Sequence, residues 1–191
     1  MNVISTKSSS YTEADLVTGC QREDPRYQRA LYDRYHRLML GVCLRYTDNR
    51  DDAQDILQEG FIRVFKYIQS FRSEGSFEGW IRRIMVHTAI EHYRRSSRYF
   101  MVDVKEAHDI QLDADALSAL SRDEILALIQ ELPTGYRTVF NLYAIEGYTH
   151  QEIGEMLNIS DGTSKSQLSR AKRMLQEKLI QHNIRGVAHG E

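Results

Sequence analysis

The sequence predicts an all-α protein with two small helical domains joined by a flexible acidic linker, the C-terminal one containing a helix-turn-helix. Its 191 residues include only two prolines, and apolar residues recur at three- and four-residue intervals without strand-like alternation. This periodicity weakens over an acidic segment between two helical blocks. The predicted organisation is an N-terminal extension at 1–24, a first domain at 25–98, a linker at 99–120, a second domain at 121–182 and a tail at 183–191.

Composition indicates a folded protein of the cytoplasm. Hydrophobic residues make up 41% of the chain and charged residues 27%, which is typical of globular domains. No run approaches the roughly 18–20 apolar residues that a membrane span needs, and we expect no membrane insertion and no export signal. Cys20 and Cys43 lie far apart without C-x-x-C spacing, so we expect reduced thiols, with Cys43 in a core.

The net charge of −2 conceals local blocks of opposite sign. Residues 80–98 contain five arginines and one acid, and residues 163–178 contain five basic residues and one acid. Between them, residues 103–115 carry five acids and one lysine, and a second acidic cluster lies at 51–59. Electrostatic attraction fades over a Debye length of about 8–10 Å. The pattern therefore predicts two nucleic-acid-facing basic surfaces and acidic surfaces with another task.

The acidic cluster at 51–59 lies on a predicted amphipathic helix. Asp51 and Gln54 resemble a capping box at its start. The acidic and polar side chains lie off an apolar stripe with helical spacing. That stripe consists of Ala53, Ile56, Leu57, Phe61, Val64, Phe65 and Ile68.

The arginine-rich segment at 80–98 predicts a helix with one apolar and one basic face. Ile81, Ile84, Met85, Thr88 and His92 fall within one arc, and Arg83, His87 and Arg94 lie nearly opposite. Exposed aromatics beside a basic face suit single-stranded nucleic acid, where each base–aromatic stack contributes about 1–3 kcal/mol. Core packing is the competing interpretation for these aromatics. They are Phe71, Phe77, Trp80, Tyr93, Tyr99 and Phe100.

The segment 148–175 predicts a helix-turn-helix. Thr149 and Glu152 form a capping box at the start of its first helix. Asn158 stands where the turn needs left-handed backbone, and Ser160 can cap the second helix. The second helix has an inward stripe at Ser164, Leu168, Ala171, Leu175 and Leu179, and small hydroxyls and long basic side chains elsewhere. Such a surface fits the major groove of duplex DNA.

Taken together, these segments resemble the extracytoplasmic-function sigma factors of bacterial RNA polymerase, in the sigma-70 family. The resemblance covers about residues 25–180 and rests on three motifs in order. They are D-A-x-D-x-x-Q-E-x-F at 52–61, G-x-F-x-x-W-I at 75–81 and G-T-x-K-S-x-L-x-R-A at 162–171. The resemblance implies an alternative sigma factor that binds core RNA polymerase, recognises two promoter elements and promotes DNA opening.

The resemblance also assigns three surfaces. A docking face for core RNA polymerase comprises Asp52, Asp55, Gln58 and Glu59. A melting surface for the downstream promoter element comprises Phe71, Phe77, Trp80, Arg83, His87, Arg94 and Arg95. A reading face for the upstream promoter duplex comprises Thr163, Lys165, Ser166, Ser169, Arg170 and Arg173. The linker would lie along the polymerase's RNA channel, and an anti-sigma factor is a further partner expected of the family.

The sequence departs from the family pattern at three positions. His87 stands where Asn is frequent and Glu91 where Asp is frequent, which leaves base preference open. Ser164 stands where Val is usual, which weakens the inward stripe of the recognition helix.

Two other functions compete with this interpretation. The second domain alone also fits a two-domain helix-turn-helix regulator that does not replace a sigma factor, but such a regulator has no need of the docking face. An enzyme would use His87, Glu91 and His92 as metal ligands. The two histidines lie about 140° apart around a helix, so we expect no metal, no cofactor and no catalytic residue.

Overall fold

The computed structural model describes residues 11–96 and 121–188, and all regular elements in these ranges are helical. The all-α prediction is confirmed, and the predicted linker at 99–120 lies outside the described residues. The helices are α1 Glu13–Gln21, α2 Pro25–Leu44, α3 Arg50–Tyr67, α4 Phe77–Ser96, α5 Arg122–Gln130, α6 Thr134–Phe140, α7 His150–Leu157 and α8 Asp161–Ala188. A 3₁₀ turn, Ile68–Ser70, follows α3, and a π-helical turn, Asn141–Ile145, follows α6.

The chain forms two compact units whose borders differ from a simple division of the sequence. Among the described residues, the first unit contains 11–43 together with Ala53–Thr88, and the second contains Leu44–Asp52 together with 89–96 and 121–188. The loop between α2 and α3 and the last turns of α4 therefore belong to the second unit.

Helix α1 lies inside the expected N-terminal extension and forms part of the first unit. Thr12 and Asp15 form a capping box at its start. Its inward residues include Leu16 and Cys20, which are both buried. The side chains of Gln21 and Gln69 donate hydrogen bonds to the carbonyls of Ile68 and Gln21, so α1 is fastened to the 3₁₀ turn. No pattern in the sequence predicted this helix.

Helix α3 buries the predicted apolar stripe, with only Phe65 half-exposed. Its cap differs from the expected one. The amide of Asp52 donates to Asn49 Oδ1, and Asn49 Nδ2 donates to the Asp52 carboxylate, each at 2.8 Å. Because the helix begins at Arg50, Asn49 is the capping residue, and the expected pairing of Asp51 with Gln54 is corrected.

Helix α4 is buried over a wider arc than its predicted stripe. Of the predicted stripe, Ile81, Met85 and Thr88 are buried, and Ile84 and His92 are only half-buried. Val86 and Ile90, which lie off that stripe, are buried as well. Helix α3 approaches α4 closely at Met85, because a Cβ at Gly60 would lie 2.2 Å from Met85 Sδ.

A buried arginine organises the second unit. Arg137 is 2% exposed and donates to the carbonyl of Gln130 at 2.7 Å. It also pairs with the carboxylate of Asp48, and this hydrogen bond lowers the pKa of Asp48. Asn141 donates to the carbonyl of Arg45 at 2.8 Å. These bonds satisfy the terminal nitrogens of the Arg137 guanidinium and the Asn141 amide nitrogen, whereas Arg137 Nε and Asn141 Oδ1 are buried without a hydrogen-bond partner among the described residues.

Three further features of the fold concern the two thiols, the C-terminal end of α8 and the hydropathy of the helices. Cys20 and Cys43 are both buried, and burial raises the pKa of Cys20 to about 11. Helix α8 continues to Ala188, into the segment expected to be a tail. Within the described ranges, no helix is both long and apolar enough to cross a membrane.

Candidate nucleic-acid interface

The docking face lies on α3 and combines exposed and engaged carboxylates. Asp55 and Gln58 are exposed. Asp52 is half-buried, with its carboxylate bound to Asn49 at the helix start, so it has a structural role. Glu59 pairs with Arg63 at 2.5 Å, one helical turn away. Ile62, also one turn from Gln58, is 67% exposed and adds an apolar patch beside the acids.

A cleft opens between α3 and α4 in the first unit. It encloses about 250 Å³. We call it the Arg–Trp cleft, and its lining residues are Arg63, Tyr67, Trp80, Arg83, Ile84 and His87. The predicted melting residues Trp80, Arg83 and His87 thus meet in one concave site.

Two of the residues that line the cleft were not predicted from the sequence. Arg63 and Tyr67 are spaced i,i+4 on α3, so one helix face presents both to α4. Tyr67 is 49% exposed, and Lys66 Nζ lies 5.4 Å from the centre of its ring. The signal was the i,i+4 pair, but only the packing of α3 on α4 shows which face of α3 borders the cleft.

The aromatic residues beside the cleft divide into a base and a rim. Phe77 is fully buried and Phe71 is 8% exposed. Ring centres lie 4.9 Å apart for Phe71–Phe77, 5.5 Å for Phe71–Trp80 and 5.8 Å for Phe77–Trp80. Phe71 and Phe77 were expected at the stacking surface; their burial corrects that expectation, because they offer no open face and instead support Trp80.

Arg94 and Arg95 do not line the cleft. Both are exposed near the C-terminal end of α4. Arg95 lies 3.8 Å from the carboxylate of Glu91, one turn earlier. The predicted melting surface therefore includes a concave group and a separate pair of arginines at the helix end.

The helix-turn-helix has the predicted local geometry. Thr149 and Glu152 form the expected capping box, and these hydrogen bonds to Thr149 lower the pKa of Glu152. Asn158 ends α7 with left-handed backbone, at φ 57° and ψ 49°. The hydroxyl of Ser160 accepts from the amide of Thr163 at 2.9 Å, and so caps α8. Helices α6 and α7 both pack against α8, whose predicted inward stripe is buried throughout.

Gly154 allows the turn to close tightly. A Cβ at this position would lie 2.8 Å from the carbonyl oxygen of Ile159. The amide of Ile159 in turn donates to the carbonyl of Gly154 at 3.0 Å. The first helix can therefore lie directly on the turn backbone.

The reading face of α8 is partly engaged within the protein. Lys165 pairs with Asp161 at 2.6 Å, and Arg170 donates to the hydroxyl of Tyr136 at 3.3 Å. Ser166 is only 2% exposed and donates to the carbonyl of Thr163 at 2.9 Å. Its expected place on an open DNA-facing surface is therefore corrected. Arg173 is exposed, and Thr163 and Ser169 are half-buried.

Comparison with known families places both regions. A family model of sigma-70 region 2 matches residues 31–99, and one of sigma-70 region 4 matches residues 122–175. The first match contains the docking face and the Arg–Trp cleft, and the second contains most of the helix-turn-helix unit.

Individual relatives agree with this placement. The chain is 32% identical to the ECF RNA polymerase sigma factor SigW of Bacillus subtilis, over 78% of this chain and 87% of that protein. It is 29% identical to the ECF RNA polymerase sigma-E factor of Haemophilus influenzae, over 88% of this chain and 95% of that protein. A solved structure of CnrH with the cytosolic domain of CnrY matches 87% of this chain at 20% identity and a TM-score of 0.48, covering 96% of that chain.

The two matched regions, in this order, define the class of protein as a transcription initiation factor of the sigma-70 type. Within that class, the chain belongs to the extracytoplasmic-function sigma factors. The resemblance carried by the three sequence motifs is thereby confirmed.

Proposed function

We propose that this chain is an alternative sigma factor that recruits core RNA polymerase to its promoters and helps to open them. The observation that carries the proposal is the presence of three surfaces in one family member: an acidic docking face, a cationic cleft with a tryptophan rim, and a helix-turn-helix. A regulator that does not replace a sigma factor has no use for the first two together. In this proposal the chemistry belongs to the polymerase, and the chain itself supplies no catalytic residue, cofactor or metal.

The docking face would bind core RNA polymerase. Asp55, Gln58 and Glu59 form its accessible part, and Asp52 would contribute mainly by fixing the start of α3. Exposed Ile62 supports this role, because apolar surface beside charge provides burial on binding as well as steering. We assign this task to the proposed first domain at 25–98.

The Arg–Trp cleft would hold an unpaired base of the downstream promoter element. Extracting a base costs a few kcal/mol, so the site must supply compensating contacts. Trp80 at the rim can stack on a base, and Arg83 can hold a phosphate. His87 lies in the same cleft and can donate or accept a hydrogen bond. Arg94 and Arg95 would hold the backbone of the strand beyond the cleft.

The reading face would select the upstream promoter element as duplex DNA, with the proposed second domain at 121–182. Arg173 and Lys165 are exposed and can reach phosphates or guanine edges. Arg170 would exchange the hydroxyl of Tyr136 for DNA, and Thr163 and Ser169 are small enough to let α8 enter the groove. The acidic linker at 99–120 would follow the RNA channel of the polymerase.

The proposed setting is the cytoplasm, where polymerase and promoters are found. An anti-sigma factor is the candidate for a regulatory partner that the family resemblance implies. Such a partner would compete with polymerase or DNA for the surfaces described above.

The test is run-off transcription with purified core RNA polymerase and a library of genomic promoter fragments. We expect transcripts from a subset of fragments only when the full chain is added. A general sigma factor on its own promoter serves as the control for active core enzyme. If that control initiates and this chain adds no transcript from any fragment, the proposal is wrong.

A further inference from the structure

A side-chain hydrogen bond joins the two helices of the helix-turn-helix. His150, the first residue of α7, lies with its Nδ1 atom 2.9 Å from Oγ of Ser164 on α8. Ser164 is fully buried. The packing of the two helix backbones does not by itself require this contact. The contact connects α7 to the inward face of α8.

A second contact holds the imidazole from another side. The ring of Tyr143, in the π-helical turn, is stacked on the His150 ring, with 4.5 Å between centres and 19° between planes. His150 therefore contacts two separate segments of the unit. Its ring has a fixed place, and so does its hydrogen bond to Ser164.

The bond has a physical consequence that an apolar contact would not have. Apolar packing tolerates small rotations and slides, whereas a hydrogen bond weakens steeply as its angle departs from linear. A buried hydroxyl that loses its partner is also costly. The Ser164 position was expected only to weaken the inward stripe, but in the structure it gives the stripe a directional contact.

The location of this contact connects it to DNA reading. Ser164 lies between Thr163 and Lys165, two residues of the reading face. A rotation of α8 about its axis that broke the bond would turn both residues, and Arg173 farther along, relative to the groove. The geometry that selects DNA thus depends on a pair that itself faces inward.

We propose that His150 and Ser164 are a matched pair of positioning residues that sets the orientation of the recognition helix and thereby the selectivity of the chain for upstream promoter duplex. This inference rests on the proposed function, since it concerns how the same reading face is aimed. Neither residue contacts DNA in this proposal.

The first experiment measures selectivity. The full chain, bound to core RNA polymerase, is used to select a duplex from a library randomised at the upstream element. The measured quantity is the ratio of affinities for the selected duplex and a scrambled one. We expect Ser164→Ala to lower this ratio about tenfold, equivalent to about 1.4 kcal/mol. His150→Asn can place an amide near the position of Nδ1, and we expect it to stay within about threefold of the unaltered chain.

Controls separate positioning from stability. Leu175→Ala removes an apolar inward side chain of the same helix, so it should lower the unfolding temperature and leave the ratio of the folded protein unchanged. Replacing both His150 and Ser164 with Ala should change the ratio no more than the larger single change, because paired residues are not additive. A ratio for folded Ser164→Ala within twofold of the original chain overturns the proposal.

The second experiment needs no DNA. Spin labels on Glu155→Cys of α7 and Glu177→Cys of α8 report the distance between the helices, and the buried native thiols Cys20 and Cys43 should label slowly. We expect a broader distance distribution in Ser164→Ala than in His150→Asn. Equal distributions overturn the proposal. If the unaltered chain fails to recruit polymerase, the proposed function fails, and the label distances still decide whether the pair positions the helix.

Discussion

The Arg–Trp cleft and the reading face of α8, the two surfaces proposed to bind nucleic acid, both present basic side chains, but the structure holds these side chains differently. In the cleft, Trp80 rests on two buried phenylalanines, and Arg83 and His87 are exposed at the rim. On the reading face, Lys165 pairs with Asp161, Arg170 donates to Tyr136, and Ser166 is turned toward its own helix. The aromatic base of the cleft is therefore in place before any strand binds, whereas in the proposed function Lys165 and Arg170 of the reading face exchange internal partners for DNA.

The difference agrees with what each surface is proposed to bind. The free energy needed to expose an unpaired nucleobase must be offset by stacking. The aromatic side chain that stacks on it should be rigid, because a mobile side chain loses conformational entropy on binding. Duplex DNA instead presents a regular array of phosphates, and an exposed ion pair such as Lys165–Asp161 is worth only about 0–1 kcal/mol. Exchanging it for a phosphate costs little, so the reading face can keep its side chains paired until DNA arrives.

The largest expected effect concerns the base of the cleft. Phe77→Ala should lower the free energy of unfolding of the first unit by about 3–5 kcal/mol, since it deletes a fully buried ring. Urea unfolding of the full chain measures this change. Tyr67→Ala, which removes an exposed ring from the rim, should change it by no more than about 0.5 kcal/mol. Equal effects of the two changes would mean that the cleft has no preformed base.

The next largest effect concerns the docking face. Replacing Asp55 and Glu59 with Lys should weaken binding to core RNA polymerase about 10- to 100-fold, because reversed charges meet the complementary surface with like charge. Fluorescence titration of the labelled chain with core enzyme measures the affinity. The control is Glu155→Lys, an exposed acid on α7. Unchanged core affinity in the double variant contradicts the docking assignment.

A smaller effect separates the two nucleic-acid surfaces from each other. With polymerase bound, Arg83→Ala should reduce promoter opening about tenfold. Arg173→Ala should instead weaken the binding of closed duplex. A variant that loses a phosphate contact should also reduce the slope of log affinity against log salt concentration by about one. Permanganate reactivity measures opening, and filter binding on duplex measures capture. Arg29→Ala is the charge-matched control, since Arg29 is exposed on α2 and pairs with Asp33. If both variants fail at the same step, the two surfaces do not divide the task.

The smallest effect is a pH dependence confined to the second unit. Burial lowers the pKa of His150 from its ordinary value of 6.5, and of the nearby charges on α8, Lys165 and Lys172 also lower it, while Asp161 raises it. The unfolded chain therefore takes up this proton at a higher pH than the folded chain. Stability of the helix-turn-helix is fully present above about pH 6.5 and declines as the pH falls below it.

Thermal unfolding of the full chain between pH 7.5 and 5 measures this decline, with the range chosen on either side of the ordinary histidine value. His150→Asn has no titrating group at this position and keeps the hydrogen-bonding atom. It should show a shallower decline than the unaltered chain. A decline of the same steepness in both proteins contradicts the assignment of the effect to His150.

Local features of the fold were predictable because they depend on neighbours in sequence. The α3 stripe, the Thr149–Glu152 capping box and the left-handed Asn158 each follow from spacing within a turn or two of helix. The cap of α3 was misplaced by two residues for the same reason, because Asn49 and Asp51 are both good capping residues and only the observed helix start distinguishes them.

Other features depend on residues far apart in the chain. The pairing of Arg137 with Asp48 joins residues 89 positions apart, and no periodicity encodes it. Arg63 and Tyr67 belong to the Arg–Trp cleft only because α4 packs against their face of α3. Helical angles place Phe77 and Ser166 on plausible binding faces, but their burial is set by neighbouring elements. The sequence was sufficient to locate the candidate sites along the chain. It was not sufficient to identify which of their residues are exposed.

The ion pair between Glu59 and Arg63 links two of these surfaces through one turn of helix. Glu59 belongs to the docking face and Arg63 lines the Arg–Trp cleft, so a partner that engages the carboxylate changes the charge balance around the guanidinium. Binding free energies are reciprocal. If binding of polymerase to Glu59 raises the affinity of Arg63 and the cleft for the DNA strand, then binding of the strand raises the affinity for polymerase by the same factor.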